Sequence, residues 1–427
     1  MSKKILAGVR VLDFTVLWSG PYTSRMLAEM GAEVIHIEHP RLLGTQDPTS
    51  SPGKIAKALG MNVIDLDPNV RGEAPWYGVR GTIFSAFNAN KRFIALDITN
   101  PTGREILNEL VKISDIAIEN LTPDVAQKLG ISYEQLSRAN PRIISCAMRG
   151  FGKGPWANHV AFGNTMEYLS GITSVTGYDC QEGYRPMRMG VYTVDPVGAM
   201  QATAAIIAAL MYRKRTGKGT SIETSQYEAA VSFVNRELMD YTMNKRVCVP
   251  IGNNDRDIAF QGCYRAKGDD QWVVVSIRNQ PEWVKLCYII GKEDWLSDER
   301  LNQPSRLEAN REEVDAAITA WSIKRSKEDA SRFLQNMNIP AAPVNNIAET
   351  IFDPQLRHRG LYKWIEYPYG AIAPTPSMPV KFTETPLPEV YQPIKAVGAD
   401  NHYVFGDLLG LPKNRIKQLE DKKIIKR

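Results

Sequence analysis

Apolar residues arrive in short unbroken runs at the start of the chain, with helical spacing between them. Val9–Phe14 (VRVLDF) and Glu33–Ile37 (EVIHI) read as strands, and Tyr22–Met30 between them carries the 3.6-residue period of a helix. The pattern recurs in a strand at Phe93–Ile98, a helix over Thr102–Ile113 opened by Asn100 and Pro101, and strands at Asp115–Ile118 and Arg142–Ala147. Such alternation predicts a parallel sheet covered on both faces, because each crossover lays a helix over one side.

The next strong segment begins at Asp195-Pro196 and is apolar on nearly every side until Arg213, Lys214 and Arg215, with Gly217 behind them. Acid and proline at the start, then basic residues and glycine at the end, predict a buried helix with Asp195 as its N-cap. Ser221–Thr224 reads as a short strand and Gln226–Met243 as a long helix. After Val249 the texture changes to a strand at Gln271–Ile277 and helices at Pro281–Ile290, Arg311–Trp321 and Ser326–Met337, the pattern of a smaller α+β unit. Pro340–Ala348 reads as a linker, and Lys413–Leu419 as a final helix. Between Leu42 and Arg80 the chain has no clear period and reads as a surface excursion. The expected fold class is therefore α/β. A Rossmann-like parallel-sheet large domain takes residues 1–225 and 345–427, and a linker helix with a smaller α+β domain takes 226–344.

Composition narrows the function. The 427 residues, 43% hydrophobic and 23% charged, are enough for a full core. Lys and Arg number 52 against 47 acids without forming one block, so nucleic acid is not implied. No stretch approaches ~18 consecutive apolar residues and no signal-like run opens the chain, so neither a membrane nor an export route is expected. Five scattered cysteines without a CxxC pair fit a reducing, cytoplasmic setting. The five histidines show no ligand spacing, and no metal site is expected.

The opening β-α-β unit invites a dinucleotide reading, with Glu38 where a ribose-binding acid would stand. The first turn, TVLWSGPYTSRM, has one glycine where G-x-G-x-x-G is required, which argues against a nicotinamide enzyme.

Taken in order, the segments LAGVRVLDFTVLWSGPYTSRMLAEMGAEVIHIE, NANKRFIALDITNPTGREIL, SDIAIENLTPDVAQKLGISYEQL, YTVDPVGAM, RTGKGTSIETSQYEA and NIPAAPVNNIAETIFDPQLRHRG resemble the class III CoA-transferases, the formyl-CoA transferase and CaiB/BaiF group. The resemblance covers nearly the whole chain. It implies an interlocked dimer, either a homodimer or a heteromer with a related subunit. Its substrates would be an acyl-CoA, such as succinyl-CoA, and a small carboxylic acid; coenzyme A thus enters as part of a substrate.

In that family an aspartate before a buried helix is the nucleophile, and the matching residue is Asp195. By itself, an acid before proline at a helix start is also an ordinary structural cap. A helix N-terminus favours the ionised carboxylate that must attack, and covalent relay through it splits one exchange into easier acyl transfers. Oxyanion donors are sought at the Val197–Gly198 amides or in the Trp18–Gly20 loop. The family pattern is broken at Trp18, where formyl-CoA transferases carry a glutamine, and a large aromatic there suits a bulky or aromatic acid such as an arylsuccinate or aryl-lactate. Oxalate and carnitine-like acids also belong to the family's range.

For CoA, the resemblance implicates Glu38, Asn120, Leu121 and Lys128, with Arg149 as a nearby cation. His39 stands where an arginine is common, and Arg41 is its substitute. Related α-methylacyl-CoA racemases need a histidine at the position of Asn164 or its neighbour Gly163, and neither residue is a base. Asn164 is left as a substrate-binding candidate. A catalytically silent subunit of a heteromeric transferase is the remaining alternative.

Overall fold

A computed structural model of the chain describes residues 4–40, 84, 86–178, 186–366 and 372–426. These fall into two compact units, one of 1–172, 189–239 and 355–427, the other of 173–188 and 240–354. The first is built on six parallel strands: β1 (Arg10–Asp13), β2 (Glu33–Glu38), β3 (Arg92–Ala95), β4 (Ile116–Glu119), β5 (Ile144–Arg149) and β6 (Thr220–Ser225). Their order is β3-β2-β1-β4-β5-β6. The direction of winding reverses between β1 and β4, which opens a crevice at the carboxyl ends of those strands.

Neighbouring residues of β1 serve opposite layers. Val11 packs with Met26 and Leu27 of α1 (Ser19–Glu29) and with Ala199, Ala202 and Ile206 of the Val194–Thr216 helix. Leu12 faces Ile106, Leu107, Leu110 and Val111 of the Pro101–Lys112 helix, together with Val404, Phe405 and Leu419 from the end of the chain. Each such side chain contributes about 1.5–3 kcal/mol when fully buried. The Pro101–Lys112 helix starts where expected, since Asn100 Oδ1 accepts from the Thr102 amide at 3.0 Å. At the sheet edge, the carboxylate of Asp400 and the amide oxygen of Asn401 accept from the Phe93 and Ala95 amides, which satisfies donors that an edge strand leaves open.

The Val194–Thr216 helix departs from expectation in two ways. It begins one residue before Asp195, with Thr193 as N-cap, so Asp195 lies in the first turn and does not cap it. Only one face is buried: Ala199, Ala202, Ile206 and Ala209 meet the sheet, while Met200, Met211 and Tyr212 are exposed. Small residues on the inner face bring the backbone close to the strands and leave the larger ones outside. The helix is apolar and long enough to cross a membrane, yet it is a packing element of the sheet, with Arg213 paired to Asp115 at 2.9 Å.

The segment read as one helix from Gln226 is helical over Gln226–Val231 and Asn235–Asn244, with a tighter 3₁₀ turn at Ser232–Val234. The second unit holds an antiparallel sheet of β7 (Phe260–Arg265), β8 (Trp272–Ile277) and β9 (Ala341–Pro343), in that order. Helices Gln280–Ile290, Arg311–Ser322 and Lys327–Asn336 share its core, where Trp283 and Trp295 stack. The stretch read as a linker therefore contributes a strand: Ala341 pairs with Val275 because β8 has an edge to fill. The hairpin of β10 (Tyr362–Glu366) and β11 (Ile372–Pro376) was not foreseen, its prolines masking the strand pattern. The excursion at 42–80, and Arg41 just before it, lie outside the described residues.

Candidate active site

Two neighbouring features converge on the turn after β1. The first is a cavity of about 430 Å³ at the strand ends, lined by Phe14–Leu17, His36–His39, Leu96, Ile98, Leu121, Val125 and Leu129 among others. Its walls are mostly apolar, with Glu38 and His39 at one side. His39 Nε2 lies 3.3 Å from Asp97, and Asn120 holds the turn by accepting from the Val16 amide and donating to the Val16 carbonyl. Leu17 adopts a φ of 66°, a left-handed conformation that costs a non-glycine residue about 1–2 kcal/mol. Beneath the cavity, Asp13 is fully buried among Lys91 Nζ at 2.9 Å, His36 Nδ1 at 3.2 Å and Ser24 Oγ at 2.7 Å. Burial alone would raise the Asp13 carboxyl, but Lys91 and His36 hold it far below the carboxylate range. Burial likewise pulls Lys91 down to about 8 against the pull of Asp13, while Asp13 and Glu38 keep His36 above its ordinary value despite burial.

The second feature is the start of the Val194–Thr216 helix. Asp195 Oδ1 accepts from Gln226 Nε2 at 3.2 Å, and Oδ2 lies against Gly163, so close that a Cβ there would sit 2.1 Å from it. Burial raises the Asp195 carboxyl above its ordinary value; Gln226 and its own amide offset this in part. No cation pairs with it among the described residues. Trp18 meets Phe87 in a tilted contact at 4.9 Å and Tyr192 edge-on at 4.7 Å, and Tyr22 joins Phe87 at 5.3 Å. Around this wall, Trp18 Nε1, Ser19 Oγ, Asn164 Oδ1 and Thr193 Oγ1 are buried without hydrogen-bond partners among the described residues. Buried polar atoms are seldom left unpaired outside functional sites.

The residues expected to act together are thus spread over distinct surroundings. Glu38, His39 and Leu121 line the cavity, and Asn120 positions its turn. Lys128 is exposed on the Pro123–Leu129 helix and does not line it. Arg149 forms a buried pair with Glu119, Nη2 to Oε1 at 2.6 Å; burial pushes Glu119 up to about 7 despite that partner. Trp18 and Asn164 stand beside the Asp195 chamber. Gln226, Tyr192 and Phe87 were not singled out in sequence, and Ser19 entered only as part of the Trp18–Gly20 loop. Gln226 does sit inside the RTGKGTSIETSQYEA stretch, but nothing local marks a glutamine 31 positions from an aspartate as its partner.

A Rossmann-ordered sheet with a crevice at its strand ends, beside a partly buried carboxylate that no cation pairs among the described residues, has the layout of an α/β enzyme. The profile of CoA-transferase family III matches residues 6–401, and the chain belongs to that family: it is a class III CoA-transferase. The succinate–glutarate CoA-transferase of Agrobacterium fabrum is 29% identical over 387 residues, 90% of this chain and 91% of that protein. A formyl-CoA:oxalate CoA-transferase of a Bradyrhizobium species is 26% identical over 98% of this chain and 96% of its own. Among solved structures, a CAIB/BAIF family protein from Brucella suis superposes with a TM-score of 0.79 at 26% identity, covering 95% of this chain and all of that one.

Proposed function

We propose that the enzyme moves CoA from a donor such as succinyl-CoA to an organic acid through covalent intermediates on Asp195. The observation that carries this reading is the state of the carboxylate itself: partly buried, raised, held by one neutral amide, and near buried polar atoms without partners among the described residues. Attack on the thioester carbonyl forms an aspartyl anhydride and expels CoA thiolate; the thiolate returns to the aspartyl carbonyl, giving an aspartyl-CoA thioester and the free donor acid. The incoming acid then runs the sequence in reverse. The apolar cavity is the proposed seat of the CoA nucleotide end, with Glu38, His39, Asn120 and Leu121 at its wall. The β1–α1 turn borders both the cavity and the chamber, so a pantetheine arm crosses it on the way to Asp195.

The aromatic wall of Trp18, Phe87 and Tyr192 favours an acceptor with a bulky apolar body, such as an aryl-substituted acid. Racemase chemistry is disfavoured, since Gly163 and Asn164 supply no second base beside Asp195. The test is a panel of acids incubated with succinyl-CoA and read by mass spectrometry. It includes the short dicarboxylates named in the relatives' activities, aryl-substituted acids and carnitine-like acids. Hydroxylamine trapping should label Asp195 during turnover, and a turnover-competent enzyme in which Asp195 never takes label would refute the route.

We also infer a dimer, on the resemblance and on the bare surface of the Asn235–Asn244 helix, where no residue is buried and Leu238, Met239, Tyr241 and Met243 are exposed. Light scattering at the mass of one chain would contradict it.

A further inference from the structure

Asp195 becomes a tetrahedral centre's partner twice in each half-cycle, and each time negative charge gathers on the former carbonyl oxygen. That oxygen needs a donor. Pro196 has no N–H, and Gln226 directs one N–H of its amide at the carboxylate.

Across the first turn of the Val194–Thr216 helix stands the start of α1. The two helices touch there, with Thr23 Oγ1 3.3 Å from the Ala199 carbonyl. One turn earlier in α1 is Ser19, only 3% exposed, and its hydroxyl is without a partner among the described residues. Its direction is given by Gly198. A Cβ placed on that glycine would lie 3.4 Å from Ser19 Oγ, 3.1 Å from Gln226 Cγ and 3.5 Å from Gln226 Nε2. Ser19 Oγ and the amide that holds Asp195 therefore border one small space beside Gly198, too tight for a side chain at 198 unless Gln226 gives way. α1 has no side-chain N-cap, and Pro21 removes one amide from its first turn. Ser19 thus supplies a hydroxyl at a terminus whose dipole favours negative charge.

We infer that Ser19 is a catalytic residue, whose hydroxyl donates to the oxyanion formed when Asp195 attacks the thioester. This rests on the reading of Asp195 as nucleophile. In the step, a carboxylate oxygen forms a C–O bond to the acyl carbon and the carbonyl π pair moves onto its oxygen. Ser19 Oγ–H donates to that oxygen without transferring its proton. Collapse restores the carbonyl and breaks the C–S bond, and the pair leaves on CoA sulfur. A hydroxyl without a partner among the described residues gains one when charge develops, which is the differential binding that lowers a barrier.

The experiment compares the parent with Ser19→Ala and Ser19→Thr, using the full-length enzyme, succinyl-CoA and the best acid of the panel. Loss of one oxyanion donor predicts that Ser19→Ala lowers kcat about 10²-fold, with KM for the acyl-CoA unchanged. The rate of hydroxylamine-trappable label on Asp195 falls by the same factor, and Ser19→Thr, which keeps the hydroxyl, recovers much of both. Because the hydroxyl is buried and makes no hydrogen bond to a described residue, its removal leaves the melting temperature equal or higher. A Ser19→Ala enzyme with parental kcat and parental labelling overturns the role of Ser19 alone. A melting temperature that drops with the activity overturns it too, since the hydroxyl would then be structural. Absence of label on Asp195 in the active parent removes the nucleophile and Ser19's role together.

Discussion

Asp13 and Asp195 are acids of the same unit, both withdrawn from water, and they end in opposite electrostatic states. Asp13 closes β1 and meets Lys91, His36, Ser24 and Thr15, whose amide donates at 3.0 Å. Its charge is fully answered, and it is held ionised far below the usual range. Asp195 meets a neutral amide and the bare edge of a glycine, and burial raises it. Burial pushes both carboxyls upward, so the partners decide. A carboxylate satisfied by cations is a structural post, whereas one left short of partners retains the basicity that nucleophilic attack draws on.

The widest gap should open on replacing Asp195. Asp195→Asn lowers transfer by about 10⁴-fold or more, as loss of a covalent nucleophile does, measured as acyl-CoA product by mass spectrometry. The same change should stabilise the fold at neutral pH. A raised carboxyl contributes stability below its unfolded value of about 3.9, and this is lost as pH rises through the folded value. At neutral pH the ionised group is a cost that the asparagine lacks. The melting temperature of the variant should therefore exceed the parent's at pH 7, with the difference closing on acidification.

Asp13→Ala is expected to behave the other way. It strands Lys91 and His36 in the core and costs roughly 3–5 kcal/mol, the toll for breaking a buried ion pair, seen as a lower urea midpoint. The remaining folded enzyme should still label at Asp195. An Asp13 variant of parental stability would erase the contrast.

Gly163→Ala tests the chamber without touching either acid. Its Cβ would overlap Asp195 Oδ2 at 2.1 Å, so the carboxylate must move. A misplacement of about 1 Å lowers kcat by roughly 10²-fold, with little change in the urea midpoint. The smallest effect is in the pH profile. The acid limb of kcat/KM should lie above the ordinary carboxylate value of about 3.9, because protonated Asp195 cannot attack. Asp13's contribution, present above that value, is lost only as pH falls toward its much lower folded value. Activity should therefore fade on acidification before unfolding begins, as paired rate and circular-dichroism titrations would show.

The parallel sheet was legible because its code is local. Runs such as VRVLDF and EVIHI, the Asn100-Pro101 start and the basic end with Gly217 each act within a few residues, and the observed elements fall within a few positions of those expected. The sheet edges were less legible. β9 and β11 are rich in proline and alanine and exist as strands because a neighbour offers hydrogen bonds. For the site, sequence order pointed to Asp195, Trp18 and the crevice residues through resemblance. It gave no sign that Arg149 would be occupied by Glu119, because that pairing depends on β4 and β5 lying side by side.

The order of strands and helices, and the presence of an acid near the start of an apolar helix, were determined by the sequence itself, since periodicity and helix-start chemistry operate over one or two turns of chain. That Gln226 grips that acid, that Gly163 grazes it and that Ser19 faces the same small space were decided only by tertiary structure. Those contacts join residues separated by 31 to 179 positions, and only the packing of α1, the Gly163–Leu169 and Gln226–Val231 helices and the Val194–Thr216 helix brings them within reach.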